Sequence, residues 1–313
     1  DLARMADYHI RLRPGTNVAV LNMMLYFIIE AKLIKEDFIL SRTEGYENFL
    51  KGIKKLDIDQ LAKVAGVDKK QVKEAAIAYA TEKNSMEFHG LGVTEQEQGS
   101  KTVMLIADLA MITGNIGRKG VGVNPLRGQN NVQGAADMGC QPHQGAGYFP
   151  VADKKIQNFY TEKYGVVHPT KAGLKIPQIF DAAINREVKA VWIIGEDVVQ
   201  TDPNSAHVAK AMNALDLLVV QEIFLSETAK HADVVLPGTT FLEKDGTFTN
   251  TERRVQRVNR AAKPLPGTKP DGVIVTEMMQ KLGFNQPIYD ADEVLAEIAD
   301  VVPFFKGITR ERL

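Results

Sequence analysis

One arginine stands out as a residue that could bind a substrate directly. Arg127 lies within residues 122–134, a segment rich in Gly, Asn and Gln. Glycine lets the backbone approach a ligand closely, Asn and Gln amides offer a heterocycle both donors and acceptors, and a guanidinium presents a carboxylate with a fixed fork of donors. The segment therefore favours an anion site beside a bound heterocycle. A polar interdomain loop with a structural arginine explains the same residues equally well.

A second set of polar residues lies where three apolar runs end in the second half of the chain. The runs at 188–194, 217–221 and 232–236 predict buried strands. In an open α/β sheet, ligands bind beyond the carboxyl ends of the strands, and acids there can accept hydrogen bonds from the N–H groups of a base. The residues at these ends are Gly195, Glu196, Asp197, Gln221, Glu222 and Thr239. Ordinary turn and capping chemistry is the simpler explanation for any one of these residues. It explains the presence of the whole set less well.

A short turn near the start of the chain leads into a predicted helix. Its residues are Arg13, Pro14, Gly15, Thr16 and Asn17, and Thr16 or Asn17 suits the N-cap position. The N–H groups at a helix start attract anions such as phosphate. Helix capping alone, without a ligand, is the simpler interpretation of the same turn.

The usual sequence patterns for metal and nucleotide sites are absent. Cys140 and His143 are three residues apart, whereas zinc sites need four ligands in two pairs, so we predict no metal site. The chain contains neither a Gly-x-x-x-x-Gly-Lys loop nor a Gly-x-Gly-x-x-Gly segment. The common cradles for nucleoside triphosphates and for dinucleotides therefore have no support.

Length, charge and cysteine usage narrow the class of protein. With 313 residues the chain suits about two domains, and its formal net charge of −1 gives no bulk attraction to nucleic acid or to an anionic membrane. The single cysteine cannot form an internal disulfide and favours a reducing compartment. The apolar run at 18–29 is too short to span a bilayer, which takes ~20 residues. No signal peptide is visible, so we expect a cytoplasmic protein, with a periplasmic location as the alternative.

Alternating helix and strand patterns predict the elements that position these residues. Apolar residues have helical spacing at 18–33, 37–42, 57–65, 68–81, 98–113, 176–185, 204–214, 226–231, 271–282 and 292–301. Further strands are predicted at 9–12 and 85–89, and a hairpin within 247–263. Residues 120–148 lack a periodic pattern and predict a long irregular segment that lines a site or joins domains. The alternation predicts an α/β fold with parallel sheets covered on both faces.

Short motifs along the chain form a distinctive combination. They lie at 41–45, 91–94, 98–99, 109–117, 124–134, 195–197, 232–237 and 249–256. The most specific is the run Arg127-Gly128-Gln129-Asn130-Asn131. Together these residues resemble the catalytic subunit of formate dehydrogenases, which are molybdopterin oxidoreductases that carry two pterin guanine dinucleotides. The resemblance covers essentially the whole chain, and nitrate-reducing relatives differ at the arginine loop.

The resemblance implies a role for each candidate residue. Arg127 would orient formate or carbon dioxide beside a molybdenum or tungsten ion. The residues along a pterin would be Gly92, Gln98, Gly128 and Gln129. One guanine end would be held by Pro14, Gly15, Thr16 and Asn17. The other dinucleotide would be held by Gly195, Glu196, Asp197, Gln221, Glu222, Thr239 and Asp271.

The same resemblance implies a domain arrangement. Residues 1–128 would belong to a first αβα cofactor-binding domain. Residues 129–245 together with 269–313 would form a second, and both domains would be doubly wound and Rossmann-like. Between these two parts of the second domain, residues 246–268 would form a hairpin excursion toward an iron–sulfur domain.

Three features of the family have no counterpart in the sequence. Family members begin with a four-cysteine segment for a 4Fe–4S cluster, carry a cysteine or selenocysteine metal ligand followed by histidine, and end in a β-barrel. Cys140 does not replace that metal ligand, because it follows the Arg127 loop. We therefore expect an interior piece of a catalytic subunit, inactive by itself, whose partners are the rest of that subunit and iron–sulfur or other electron-transfer subunits. A non-catalytic module that binds a cofactor or a partner, and a molybdopterin oxidoreductase with another substrate, are the alternatives.

Overall fold

The chain divides into two structural units. The structure, a computed structural model, describes all residues from Asp1 to Leu313. Unit 1 comprises Asp1–Gln129 and unit 2 comprises Asn130–Leu313. No helix in either unit has both the length and the apolar character needed to cross a membrane. The predicted division into four segments stays a prediction.

Unit 1 is mainly helical and contains one small parallel sheet. Its helices are α1 (Leu2–Met5), α2 (Asn17–Glu30), α3 (Glu36–Arg42), α4 (Tyr46–Ile53), α5 (Ile58–Ala65), α6 (Lys69–Thr81), α7 (Leu91–Thr94) and α8 (Gly99–Thr113). Its strands are β1 (Met86–His89) and β2 (Gly122–Pro125), which pair in parallel with Met86 opposite Gly122 and His89 opposite Pro125. Helix α8 packs against both strands.

The core of unit 1 is built around α2. This helix is apolar around most of its circumference, as expected for a helix buried on several sides, and Met23, Leu25 and Ile28 are completely buried. It contacts α5, α6 and α8. Each large apolar side chain buried in this way contributes about 1.5–3 kcal/mol. Because α2 packs against α8, and α8 packs against β1 and β2, the core around α2 holds the small sheet in position.

Aspartate caps set the starts of two of these helices. The Asp57 carboxylate accepts a hydrogen bond from Gln60 N at 2.9 Å at the start of α5, and Asp68 accepts one from Lys70 N at 2.9 Å at the start of α6. Such a cap satisfies an N–H group that has no partner within the helix. The sequence prediction of both helices, with Asp68 as a cap, is confirmed.

Unit 2 contains a three-stranded parallel sheet and two antiparallel pairs. Its helices are α9 (Val132–Asp137), α10 (Lys154–Tyr164), α11 (Ile176–Ile184), α12 (Val198–Thr201), α13 (Ser205–Asn213), α14 (Asp271–Lys281) and α15 (Ala291–Val301). Its strands are β3 (Gln144–Gly145), β4 (Phe149–Pro150), β5 (Ala190–Ile194), β6 (Leu217–Glu222), β7 (Val234–Pro237), β8 (Gly246–Thr249) and β9 (Val255–Val258). The parallel sheet has the order β5-β6-β7, and β3 pairs with β4 and β8 with β9 in antiparallel fashion.

The central strand β6 carries the core of this sheet. Leu218 and Val220 on β6 are completely buried and pack with Val208 and Ala211 of α13 and with Phe180 of α11. Strands of a parallel sheet that is covered by helices have nearly continuous apolar sequences. All three strands could therefore be predicted from the sequence. The α/β prediction is confirmed, and the hairpin predicted within 247–263 is present as β8 and β9.

Two sequence predictions are wrong. Residues 9–12 form no strand, because Ile10 and Leu12 pack against the helical core of unit 1 instead of pairing with another strand. Residues 120–148 are not irregular throughout, since they contain β2, α9 and β3, and β4 follows directly. Their glycine and amide content conceals elements of two to six residues, which are too short to produce a periodic pattern. Helices α4 and α10 were not predicted.

Truncating the centre of the α2 core should destabilise unit 1. We expect Leu25→Ala to lower the free energy of unfolding by ~2–5 kcal/mol, because a completely buried leucine leaves a cavity. Leu40 on α3 is 82% exposed, and Leu40→Ala should change that free energy by no more than about 0.5 kcal/mol. Urea unfolding followed by circular dichroism measures both, and equal effects of the two substitutions would contradict this description of the core.

Candidate functional site

In unit 1, the two strands end at one edge of the sheet and bring two loops together. Parallel strands place their carboxyl ends on the same side, and the Leu126 N–H donates a hydrogen bond to the His89 carbonyl oxygen at 2.7 Å. The loop after β1 continues into α7 and then α8, and the loop after β2 carries Arg127. The sequence predicted Arg127 as a site residue but did not predict that it would lie next to the end of β1.

His89 is the buried neighbour of Arg127. Its side chain is 7% exposed, and its Nδ1 atom has no hydrogen-bond partner. Burial, and then the positive charge of Arg127, lower the pKa of His89 below its usual value. The imidazole is therefore neutral at pH 7, beside a permanently charged guanidinium. Sequence analysis missed His89. The available signal was its position immediately before the Gly90-Leu91-Gly92 loop.

Predicted pterin residues border the same edge. Gly92 lies in α7 with open space where a side chain would be, Gln98 immediately precedes α8, and Gln129 is exposed at the end of unit 1. At Gly128, a Cβ atom would lie 3.4 Å from the Leu91 side chain. Gly92 and Gln98 thus lie after β1, Gly128 and Gln129 lie after β2 with Arg127, and their contact with a pterin stays a prediction.

One glycine holds the α7 loop against the next helix. A Cβ atom at Gly99 would overlap the backbone carbonyl of Thr94, so any larger residue would push the loop away from the start of α8. The Gln98 carbonyl oxygen accepts from Thr102 N at 2.9 Å as the first hydrogen bond of α8. This close approach fixes the path of the backbone between Gly92 and Gln98.

Beside the end of β1 lies a half-buried acid that sequence analysis did not find. The Tyr79 hydroxyl donates a hydrogen bond to Glu87 Oε1, while Glu87 Oε2 is buried without a partner. Burial raises the pKa of Glu87, and burial followed by the hydrogen bond to Glu87 raises the pKa of Tyr79. No cation forms an ion pair with Glu87. The strand therefore carries an acid whose environment favours the protonated form.

The Pro14–Asn17 turn is the other candidate in unit 1. Gly15 has φ +81°, and the Thr16 hydroxyl donates to the Arg13 carbonyl oxygen at 2.6 Å instead of capping α2. The Arg13 guanidinium donates to the Lys63 and Val64 carbonyl oxygens at the end of α5, at 2.9 and 3.2 Å. No side chain caps the start of α2, and the predicted guanine contact of this turn stays a prediction.

In unit 2, two of the predicted acids are engaged within the fold. Asp197 Oδ1 accepts hydrogen bonds from Thr228 N at 2.9 Å and from Thr228 Oγ1 at 2.6 Å. Burial alone would raise the pKa of Asp197, but the hydrogen bonds from Thr228 and Glu227 lower it overall. Glu196 accepts from Thr201 Oγ1 at 2.6 Å. With Gly195 at φ +64°, this segment makes the turn from β5 into α12.

Three of the other predicted residues meet around one lysine. Gln221 Nε2 donates to Asp271 Oδ1 at 2.7 Å, and Lys244 forms an ion pair with the other oxygen of Asp271. The Lys244 ammonium also donates to the Thr239 carbonyl oxygen at 3.3 Å. Glu222 lies apart from this cluster, with Oε1 accepting from Ile223 N at 2.7 Å. Sequence analysis missed Lys244, since a single lysine in a loop carries no distinguishing pattern.

The comparison with known proteins places the chain in a family. The model of the family described as molybdopterin oxidoreductase matches residues 2–281. The chain belongs to the molybdopterin oxidoreductases. Among its relatives, the F420-dependent formate dehydrogenase subunit alpha of Methanocaldococcus jannaschii is 43% identical over 313 residues, which is 99% of this chain and 46% of that protein. Formate dehydrogenase H of Escherichia coli is 39% identical over 314 residues, covering 100% of this chain and 44% of that protein.

A solved structure agrees with this molybdopterin oxidoreductase fold. Acetylene hydratase from Pelobacter acetylenicus superimposes with a TM-score of 0.76 at 20% sequence identity, covering 100% of this chain and 45% of that one. The chain spans just under half the length of each of these relatives. At this low identity the structural match shows the shared fold, and the activity depends on the residues of the site.

The cluster in unit 2 offers unsatisfied polar atoms to a ligand such as the molybdopterin cofactor that the family implies. Gln221 Oε1 and Thr239 Oγ1 are buried and have no hydrogen-bond partner. An unsatisfied buried polar atom costs about 1–3 kcal/mol, and such atoms persist where a ligand completes their hydrogen bonds. An amide oxygen accepts and a hydroxyl group both donates and accepts, which suits a heterocycle that carries both donors and acceptors. The residues present therefore fit the cofactor that the family implies.

The acid on β1 should make stability depend on pH. Because the folded state raises the pKa of Glu87, the folded state binds its proton more tightly than the unfolded state, and stability falls as pH rises through the folded pKa. We expect Glu87→Gln to reduce this loss, so that the variant gains stability relative to the original protein as pH rises from 5 to 9. Urea unfolding at a series of pH values measures the difference. The exposed Glu82→Gln serves as the control, and a difference for Glu87→Gln that is constant with pH would contradict this assignment.

Proposed function

We propose that this chain is a segment of the catalytic subunit of a formate dehydrogenase. The observation that carries the proposal is the position of Arg127, which follows a strand of the unit 1 sheet and lies beside a buried, neutral histidine. The printed names of the most similar relatives, which are formate dehydrogenase subunits, support the same activity. The reaction oxidises formate to carbon dioxide, a proton and two electrons, or runs in reverse.

The cofactor is a bis-molybdopterin guanine dinucleotide that carries molybdenum or tungsten, and when bound it supplies the two-electron redox chemistry. In unit 1, Gly92, Gln98, Gly128 and Gln129 provide the polar, closely approachable edge for one pterin. Arg127 binds the carboxylate of formate through its fork of N–H donors. Its charge balances that of the substrate, and its donors orient the formate carbon.

The guanine ends bind to polar groups in each unit. In unit 1, the turn Pro14, Gly15, Thr16 and Asn17 offers the uncapped start of α2 to one guanine dinucleotide. In unit 2, Gln221, Thr239 and Asp271 receive the other, with Lys244 holding Asp271 in place. Gly195, Glu196, Asp197 and Glu222 border the same sheet edge. Of these acids, Asp197 acts through the turn that it stabilises.

A 4Fe–4S cluster would be held by the remainder of the catalytic subunit and would supply the electron path to an iron–sulfur or other electron-transfer subunit in the cytoplasm. These partners complete the proposed reaction, because the chain by itself offers no cysteine cluster to hold an iron–sulfur centre. The isolated chain is accordingly inactive. Formate-dependent dye reduction by the isolated chain would contradict this part of the proposal.

A different substrate within the same family and a non-catalytic cofactor-binding module are the competing functions. The acetylene hydratase match shows that the fold itself does not select formate. Metal analysis and formate-dependent dye reduction of the complete catalytic subunit separate the three. Stoichiometric metal with formate oxidation supports our proposal, metal without it favours another substrate, and the absence of both favours the non-catalytic module.

Removing the guanidinium should abolish most turnover without loss of the cofactor. In the complete catalytic subunit, we expect Arg127→Ala to lower kcat/KM for formate by about 100-fold or more, because a positioned charge that stabilises the reacting group typically contributes ~10²–10³. Metal content should stay unchanged. Arg4→Ala, at an exposed position of α1, is the control, and normal formate oxidation by Arg127→Ala would remove this residue from the mechanism.

The unpartnered hydroxyl of Thr239 provides a test of the guanine site. Thr239→Val removes a group with no partner in the protein, so we expect unchanged or higher stability but about 3- to 10-fold weaker binding of guanosine monophosphate to the cofactor-free protein. Thr240→Val is the matched control. Its hydroxyl bonds to Glu243 at 3.0 Å, so that variant should lose about 1 kcal/mol of stability and keep its affinity. Calorimetric titration and urea unfolding measure both properties, and the opposite pattern would refute the assignment.

A further inference from the structure

His89 combines burial with an unsatisfied hydrogen-bonding atom. Its side chain is more than nine-tenths buried, and Nδ1 has neither a backbone nor a side-chain partner. A buried imidazole nitrogen without a partner costs about as much as a lost hydrogen bond. Histidines in a structural core normally satisfy at least one ring nitrogen with a carbonyl or carboxylate oxygen. We therefore expect the hydrogen-bond partner of His89 Nδ1 to be a bound ligand and not a group of this chain.

The position of His89 restricts where that partner lies. His89 is the last residue of β1, opposite Pro125 at the end of β2, and Arg127 follows two residues later. The Leu126 N–H is bonded to the His89 carbonyl oxygen, which ties the two loops together at this point. On the opposite face of β1, Phe88 is exposed, because side chains alternate along a strand. His89 consequently lies at the same sheet edge as the Arg127 guanidinium.

The charges around His89 favour a neutral imidazole that donates a hydrogen bond. The groups on neighbouring elements are Glu87 on the same strand, Tyr79 on α6, whose hydroxyl is engaged with Glu87, and Arg127 after β2. Burial and the Arg127 charge lower the pKa of His89. A neutral imidazole carries one N–H donor. Because Arg127 is positively charged, the best acceptor for the His89 N–H is an anion, which would interact with both His89 and Arg127.

We propose that His89, through its Nδ1–H group, is a second substrate-binding residue that donates a hydrogen bond to the carboxylate held by Arg127. This inference rests on the proposed formate oxidation. Formate has two carboxylate oxygens, and an arginine fork together with one imidazole N–H satisfies more of their lone pairs than the arginine alone. The histidine also restricts the rotation of the bound carboxylate, so it contributes to orientation as well as to affinity.

The ring nitrogen can be tested with two substitutions of different geometry. The amide nitrogen of asparagine can occupy nearly the same position as Nδ1, so His89→Asn should keep the donor, whereas His89→Phe fills the space without a donor. In the complete, cofactor-loaded catalytic subunit, we expect His89→Phe to raise KM for formate about 10- to 100-fold, and His89→Asn to raise it less than about 5-fold. His9→Phe is the control, because His9 is the other histidine of unit 1 and is exposed.

A binding measurement on the cofactor-loaded protein supplies a readout independent of turnover. With ¹⁵N-labelled histidine and arginine, sodium formate should shift the side-chain NMR signals of both His89 and Arg127, with one apparent Kd. If formate shifts the Arg127 signal but not that of His89, or if His89→Phe binds formate normally, the inference about His89 fails and the proposed function stands. Equal weakening by His89→Asn and His89→Phe would also overturn the Nδ1–H bond. If formate shifts neither signal, the proposed formate site itself fails.

Discussion

The parallel pairing of β1 with β2 is the constraint on which the arginine site depends. Four residues on each strand align so that His89 and Pro125 end the pair together. The backbone bond from Leu126 to His89 then extends the pairing one step beyond the sheet. Because the strands are short, a shift of register by one residue would move Arg127 along the edge and reverse the faces of Glu87 and His89. The buried core around α2 prevents such a shift, since α8 packs against both the core helix and the two strands.

Both units carry polar atoms that the fold itself leaves unsatisfied. In unit 1 these are Glu87 Oε2 and His89 Nδ1, and in unit 2 they include Gln221 Oε1 and Thr239 Oγ1. One further such atom is Trp192 Nε1 within β5, whereas the capped starts of α5 and α6 show polar groups that the fold satisfies. A protein gives up about 1–3 kcal/mol for each buried atom left without a partner. The concentration of such atoms near the ends of parallel strands therefore indicates function more directly than any single motif.

The sequence revealed features that rest on strong local patterns. Apolar runs correctly predicted the strands β5, β6 and β7, because each run reflects the burial of one strand. Helical spacing of apolar residues correctly predicted α6 and α8, because it reflects the burial of one helix face. Sequence analysis failed where a contact between distant residues decides the outcome. The alternation at residues 9–12 arises because Ile10 and Leu12 pack on helices. The local sequence of such a segment looks the same as that of a paired β-strand.

The candidate site shows the same division between local and distant information. Arg127 was predictable because glycine and amide residues surround it in the sequence. His89 and Lys244 were not, since each matters only through partners that folding brings close: Arg127 for the histidine, and Asp271, 27 residues away, for the lysine. Resemblance to a family assigns roles only to the residues within its motifs, and it assigns none to residues that lie between them. Burial and an unpartnered nitrogen place His89 in the site, and the ion pair with Asp271 places Lys244 there.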